Sequence, residues 1–235
     1  MFGVMINVMT VLIGACAGLL FKKGIPVRVS DAVMTGLGAC TFSIGISGTL
    51  QGNNVLILIA SVVLGVIIGT LLDIDGAINR LAKKVESQFK KKNQDVSIAE
   101  GFISATLLFC VGSMTVTGSI QAGLTHDYSI LITKATLDLV SSMMLASSLG
   151  VGVLLASISV LIIQGSLVLL AGMIAPFISA GAIAEMTCAG SLLIVMIGLN
   201  MMKITKIKVA DYLPAILLAP MFYNIILWLE TMLPM

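Results

Sequence analysis

Lys134 and Asp138 lie one helical turn apart in an otherwise apolar run, Ile130–Gly150. At i, i+4 on a helix the two side chains share a face and can pair. A charge in hydrocarbon costs a few kcal/mol on insertion scales, so each is a functional suspect. Two readings stay open. The pair either neutralises itself and holds its helix against a neighbour, or it gates and couples, exchanging partners with a bound ion. Glu185 and Asp31 lie near the ends of apolar runs. Both fit a wet interface, and Asp31 also fits a helix N-terminus. His126 and Asp127 read as a short surface loop.

Hydroxyls and glycines crowd two other stretches. One carries Thr35, Gly36, Gly38, Thr41, Ser43, Gly45, Ser47 and Gly48. The other carries Gly112, Ser113, Thr115, Thr117, Gly118, Ser119 and Gln121. Small residues let membrane helices approach closely, as GxxxG patterns at Gly14–Gly18 and Gly65–Gly69 also do. The same residues let a helix unwind, and freed carbonyls with hydroxyls can replace an ion's hydration shell. The expected site is therefore a cavity where these two stretches meet Asp138. Ser43, Ser47, Thr117, Ser119 and Gln121 would line it, beside Lys134 and Asp138, with Glu185 as a further candidate. Oxygens with one carboxylate suit a hard monovalent cation or a proton-coupled solute. Gln164 and Asn200 add neutral polar groups, and Pro214 with Pro220 predicts a kink.

Enzyme chemistry is not expected. The chain has a single His, in a loop, so a buried Ser–His site cannot be built, and no HExxH, GxGxxG, Walker or GxSxG motif occurs. Cys16, Cys40, Cys110 and Cys188 all sit in apolar stretches without a CxxC pair, which reads as packing. No cofactor and no metal is expected.

The elements that must position these residues follow from composition. Hydrophobic residues make up 58% and charged residues 10%, against about 25% charged in soluble domains. Length is then a count of spans of roughly 20 apolar residues. Every Lys and Arg except Lys134 falls in three breaks: Lys22 to Arg28, Arg80 to Lys92, and Lys203 to Lys208. Eight spans fit: Phe2–Leu20, Ala32–Leu50, Val55–Leu72, Phe102–Leu124, Ile130–Gly150, Val153–Ile174, Ala182–Met202 and Val209–Leu233. The basic breaks then follow spans one, three and seven, all on one face, which basic loops mark as cytoplasmic. Both termini are expected outside, and the opening run has no basic n-region of a cleaved signal peptide. The net charge of +2 belongs to these loops and does not point to nucleic acid.

The expected fold is an all-α polytopic membrane protein. A first bundle spans 1–72, an amphipathic connector 73–100, and a second bundle 101–235. In the connector Ile78, Leu81, Val85 and Phe89 fall at helical spacing, as on a helix lying at the membrane surface. An inverted repeat of spans one to three and six to eight would set Asp31 opposite Glu185 and Gly36 opposite Gly190. Few identities carry it.

The strings KKGIPVRVSDAVMTGLGACTFSIGISGTL (Lys22–Leu50) and CVGSMTVTGSIQAGL (Cys110–Leu124) resemble the YqgA/YdfK-type family of bacterial membrane proteins. So does Lys134 through Asp138 to Gly150, with Gln164-Gly165 beyond. The resemblance implies a bacterial inner-membrane protein and carries no substrate, since the family is known as a domain of unknown function. The favoured expectation is secondary transport of a small solute or ion. The rivals are a passive channel and a non-transporting structural or assembly protein. Expected partners are the solute or ion and membrane lipid, and a homo-oligomer stays open.

Overall fold

A computed structural model of the chain describes residues 1–21, 27–80, 98–111, 113–174 and 179–232. Among these residues the regular structure is helical, with no strand. In chain order the helices are α1 (Phe2–Phe21), α2 (Val27–Thr49), α3 (Val55–Leu71), α4 (Ile74–Arg80), α5 (Ile98–Cys110) and α6 (Ser113–Thr125). There follow α7 (Ser129–Leu149), α8 (Gly152–Leu169), α9 (Ala171–Ile174), α10 (Ala180–Met201), a 3-10 turn at Val209–Tyr212 and α11 (Pro214–Met232).

Among the described residues five helices are long and apolar enough to cross a membrane, and two bent pairs bring the number to as many as seven. The pairs are α3 with α4, bent by 50°, and α5 with α6, bent by 57°. The remaining expected span, α2, has 23 residues, but its Gly, Ser and Thr content leaves it less apolar. Eight spans therefore stay an expectation from sequence. Leu20, Leu50, Leu71, Leu169 and Met173 are among the large apolar side chains left exposed. Water would not tolerate so many, but a hydrocarbon solvent does.

Small residues dictate which helices meet. A Cβ on Gly14 or Gly18 of α1 would collide with the α7 backbone at Leu139 or Met143. Gly3 meets Leu131, so α1 and α7 run parallel. Gly38 of α2 faces Met202, Gly45 faces Val195, and Gly52 beyond the helix faces Cys188, so α2 and α10 run antiparallel. Gly65 and Gly69 of α3 lie on Ala215 and Asp211, making α3 and α11 antiparallel. Each helix of 1–72 thus buries its glycine face against a helix of 101–235. Of the five single-helix candidates for a span, α10 is the most buried.

These pairings sort the connections onto two ends. Asp75, after α3, donates its backbone N–H to Asp211, after α10, at 3.0 Å. The α2–α3 turn meets the start of α10 at the opposite end, through Glu185. The grouping matches the parity expected from the basic breaks. The expected amphipathic connector is described only as far as α4, where Ile78 packs on the core. Leu81, Val85 and Phe89 lie outside the described residues.

Two expectations about irregular helices divide. α2 is continuous from Val27 to Thr49, so its glycines are not points of unwinding, and Gly38, Gly45 and Gly48 serve packing. The fourth span is broken: α5 ends at Cys110 and α6 begins at Ser113. At the break the hydroxyl of Thr115 donates to Phe109 O at 3.1 Å, satisfying a carbonyl that a continuous helix would have bonded. In the last span Pro214 opens α11 at its first position, where its missing N–H costs nothing, and Pro220 lies inside the helix.

Candidate functional site

Lys134 and Asp138 do pair: the ammonium of Lys134 donates to Asp138 Oδ2. Both residues are only 6% exposed. Asp138 sits nine residues into α7, about 14 Å along its axis at 1.5 Å per residue. The groups that complete the site come from α1 and α8. Asn7 Nδ2 donates to Asp138 Oδ2 at 3.0 Å and to Gln164 Oε1 at 3.2 Å. Asn7 and Gln164 are fully buried. Thr10 braces the first of them, donating to Asn7 O at 2.8 Å. Gln164 Nε2 is buried with no hydrogen-bond partner among the described residues. A buried donor left unmade costs about 1–3 kcal/mol, so its persistence calls for a reason.

The cluster therefore holds an ammonium, a carboxylate and two amides, one of them with spare donor capacity. Cys110 at the break of the fourth span lies near enough to feel the charges of both Lys134 and Asp138. The site and the break of the fourth span thus adjoin.

The other expected residues fall elsewhere. Ser43 is exposed and donates back to Ala39 O at 3.0 Å, and Ser47 is exposed too. The cause is the glycine stripe: burying Gly38, Gly45 and Gly48 on α10 turns positions 43 and 47 to the opposite face of α2. Gln121 donates to Asp127 Oδ2 at 2.7 Å, at the end of α6. Thr117 is exposed, while Ser119 is buried with its hydroxyl unpartnered among the described residues. A cavity of spans two, four and five around Asp138 is thus not what forms. The cluster is made by spans one, five and six.

Glu185 is 1% exposed and clasps the α2–α3 turn. Its Oε1 accepts the N–H groups of Asn53 at 2.7 Å and Asn54 at 2.9 Å, while Oε2 is buried without a hydrogen-bond partner among the described residues. It is separate from the Asp138 cluster, and its expected counterpart Asp31 has no described side-chain environment. Asn7 carries the signal that sequence reading passed over. It is a lone amide in the first apolar span, costly there on the same grounds as Asp138.

The family model for "Protein of unknown function (DUF554)" matches residues 2–224. The chain belongs to the DUF554 family. It is 33% identical over 230 residues to the "Uncharacterized membrane protein YdfK" of Bacillus subtilis (strain 168), covering 96% of this chain and 97% of that one. It is 31% identical over 220 residues to the "Uncharacterized protein YqgA" of Escherichia coli (strain K12), covering 92% and 94%. No solved structure matches it. Together with its apolar helices, these findings make it a membrane protein of the DUF554 family.

Proposed function

We propose that this DUF554 protein is a secondary transporter that moves a small solute or ion across the bacterial inner membrane, with Asp138 as the group whose charge is exchanged. The observation that carries the reading is the buried Lys134–Asp138 pair, bridged by Asn7 to Gln164 beside the break of the fourth span. A proton or cation arriving on Asp138 removes the counter-charge of Lys134. A lone buried ammonium is unstable by several kcal/mol. The relief is movement of α7 against α1 and α8, with the break between Cys110 and Ser113 as the yielding point. Gln164 Nε2 supplies a donor for an arriving oxygen.

The helix pairing supports the same reading. α1 meets α8, α2 meets α10 and α3 meets α11. An inverted repeat of spans one to three and six to eight about an axis in the membrane plane would make these contacts. A second reading, a sealed structural pair in a non-transporting protein, is favoured by the near-complete burial of Lys134 and Asp138.

Thiol labelling separates the classes. With Cys16, Cys40, Cys110 and Cys188 replaced, Gln164→Cys is probed with a membrane-impermeant reagent from each side. A transporter shows labelling from either side, with each exposure excluding the other as pH is changed. Simultaneous labelling from both sides means a channel. No labelling under any condition means a structural pair and ends the transport reading.

A further inference from the structure

The Asp138 cluster is rich in donors. Lys134 and Asn7 Nδ2 both donate to Asp138 Oδ2, and Asn7 Nδ2 also reaches Gln164 Oε1. One amide nitrogen thus ties the carboxylate to Gln164 through two hydrogen bonds in series. The amide acceptors are already engaged, Gln164 Oε1 by Asn7 and Asn7 Oδ1 by Thr10 at 3.5 Å. Gln164 Nε2 is the group left over, buried and without a hydrogen-bond partner among the described residues. Ammonium and amide N–H groups only donate, so the complement of this cluster is an acceptor.

α8 is loosely packed at the same place. Gly165 follows Gln164 and is buried, and a Cβ on it would meet, beyond its chain neighbours and among the described residues, only Met1 Cε at 3.6 Å. One turn further along, α8 is tight: a Cβ on Gly123 of α6 would lie 2.4 Å from Val168 O. The side chain that covers Gly165 is an unbranched thioether from the exposed start of the chain, able to swing aside.

Charge decides which acceptor completes the cluster. The Lys134–Asp138 pair is neutral as it stands. A metal cation at Asp138 would sit beside the Lys134 ammonium, with both amide oxygens already taken. A proton on Asp138 needs no coordination, yet it leaves that ammonium without its counter-charge in a site 6% exposed. A monovalent anion that enters with the proton restores neutrality and accepts from the donors the carboxylate gave up. The group it replaces is a carboxylate, so a carboxylate is the nearest chemistry, one oxygen for Lys134 and the other for Gln164 Nε2. We propose that the cluster binds a small monocarboxylate together with one proton, which settles on Asp138. This names the solute of the transport reading and rests on that reading. Lys134 supplies the charge that acts on Asp138, and the Cys110 thiol of α5 is the other titratable group near it, while α1 and α8 present the neutral Asn7 and Gln164.

The test uses the full-length protein in nanodiscs, with acetate as probe and calorimetric titration in buffers of different ionisation enthalpy. Acetate should bind saturably with uptake of one proton, and its apparent affinity should tighten by about tenfold per pH unit of acidification until Asp138 is protonated. Chloride, with one accepting centre in place of two, should bind at least about tenfold more weakly. Gln164→Leu should weaken acetate by about tenfold and keep the proton uptake. Asp138→Asn holds the neutral state permanently. It should bind acetate without proton uptake, and acetate at about a hundred times its Kd should raise its melting point by about 5–10 °C. If that variant does not fold, the parent titration decides alone. No saturable binding by the parent, binding without proton uptake, chloride as tight as acetate, or indifference to Gln164→Leu overturns the inference. Binding is read without transport, so the two readings fail separately. A proton-driven current in proteoliposomes without acetate binding removes the carboxylate and keeps transport. Acetate binding with proton uptake in a protein that gives no current keeps the seat and removes transport.

Discussion

Removing one member of the buried pair should do more damage than removing both. Asp138→Leu leaves the ammonium of Lys134 in a site 6% exposed, with no other acceptor among the described residues. Lys134→Met leaves the carboxylate with Asn7 Nδ2, at 3.0 Å, as its one donor among the described residues. Breaking a buried pair this way costs about 3–5 kcal/mol. For a chain of this length each kcal/mol moves the midpoint by about 2–4 °C, so each single variant should lose about 6–20 °C. In Lys134→Met with Asp138→Leu no charge is stranded, and Asn7 keeps its bond to Gln164 at 3.2 Å. Replacing a buried ion pair by apolar residues is neutral or stabilising by about 1–4 kcal/mol. The double variant should therefore melt close to or above the parent. The assay is thermal unfolding of purified protein in one detergent. If the double loss equals the sum of the single losses within about 0.5 kcal/mol, the pair does not act as a unit and the reasoning fails.

Other outcomes rest on the same geometry. Gly45→Val should disrupt the α2–α10 contact by about 3 kcal/mol, because its Cβ would lie 2.6 Å from the Val195 backbone nitrogen, whereas Gly36→Ala, with nothing within 4 Å, should leave the melting point unmoved. Asn200→Ala removes three hydrogen bonds and should loosen the loop to Lys208 by about 3 kcal/mol in all, read as faster trypsin cleavage at Lys203, Lys206 and Lys208. Asp127 is held below the usual carboxylate range by the hydroxyl and N–H of Ser129, then by Gln121. Its contribution to the α6–α7 loop should be complete above about pH 4, the ordinary carboxylate value, and fade as pH falls through the depressed one, seen as faster exchange of the Ser129 amide in acid. Lys206→Cys should label from the cytoplasmic side alone, and labelling from outside would reverse the expected topology.

Local patterns were readable in the sequence, and long-range company was not. The i, i+4 spacing of Lys134 and Asp138 foretold their pairing because a helix turn sets it. The glycines of the fourth span foretold a break, now seen between Cys110 and Ser113. The same glycine signal misled for α2, where Gly38 and Gly45 serve close approach to α10. Composition cannot tell a helix that unwinds from one that packs. Asn7 and Gln164 join the site from 131 and 26 residues away from Asp138, distances over which no spacing rule operates. The grip of Glu185 on Asn53 and Asn54 is of the same kind, as an acceptor for a turn 131 residues earlier.

The most direct test of the transport reading needs no substrate. Proteoliposomes adsorbed on a solid-supported membrane are given a pH jump, and the transient current is recorded. Proton exchange on Asp138, about 14 Å into the bilayer helix, moves charge within the membrane field. The parent protein should give a current above that of protein-free vesicles, and the folded double variant of Lys134→Met with Asp138→Leu should give none. A parent current no larger than that of empty vesicles, or one that survives in the double variant, would contradict the account.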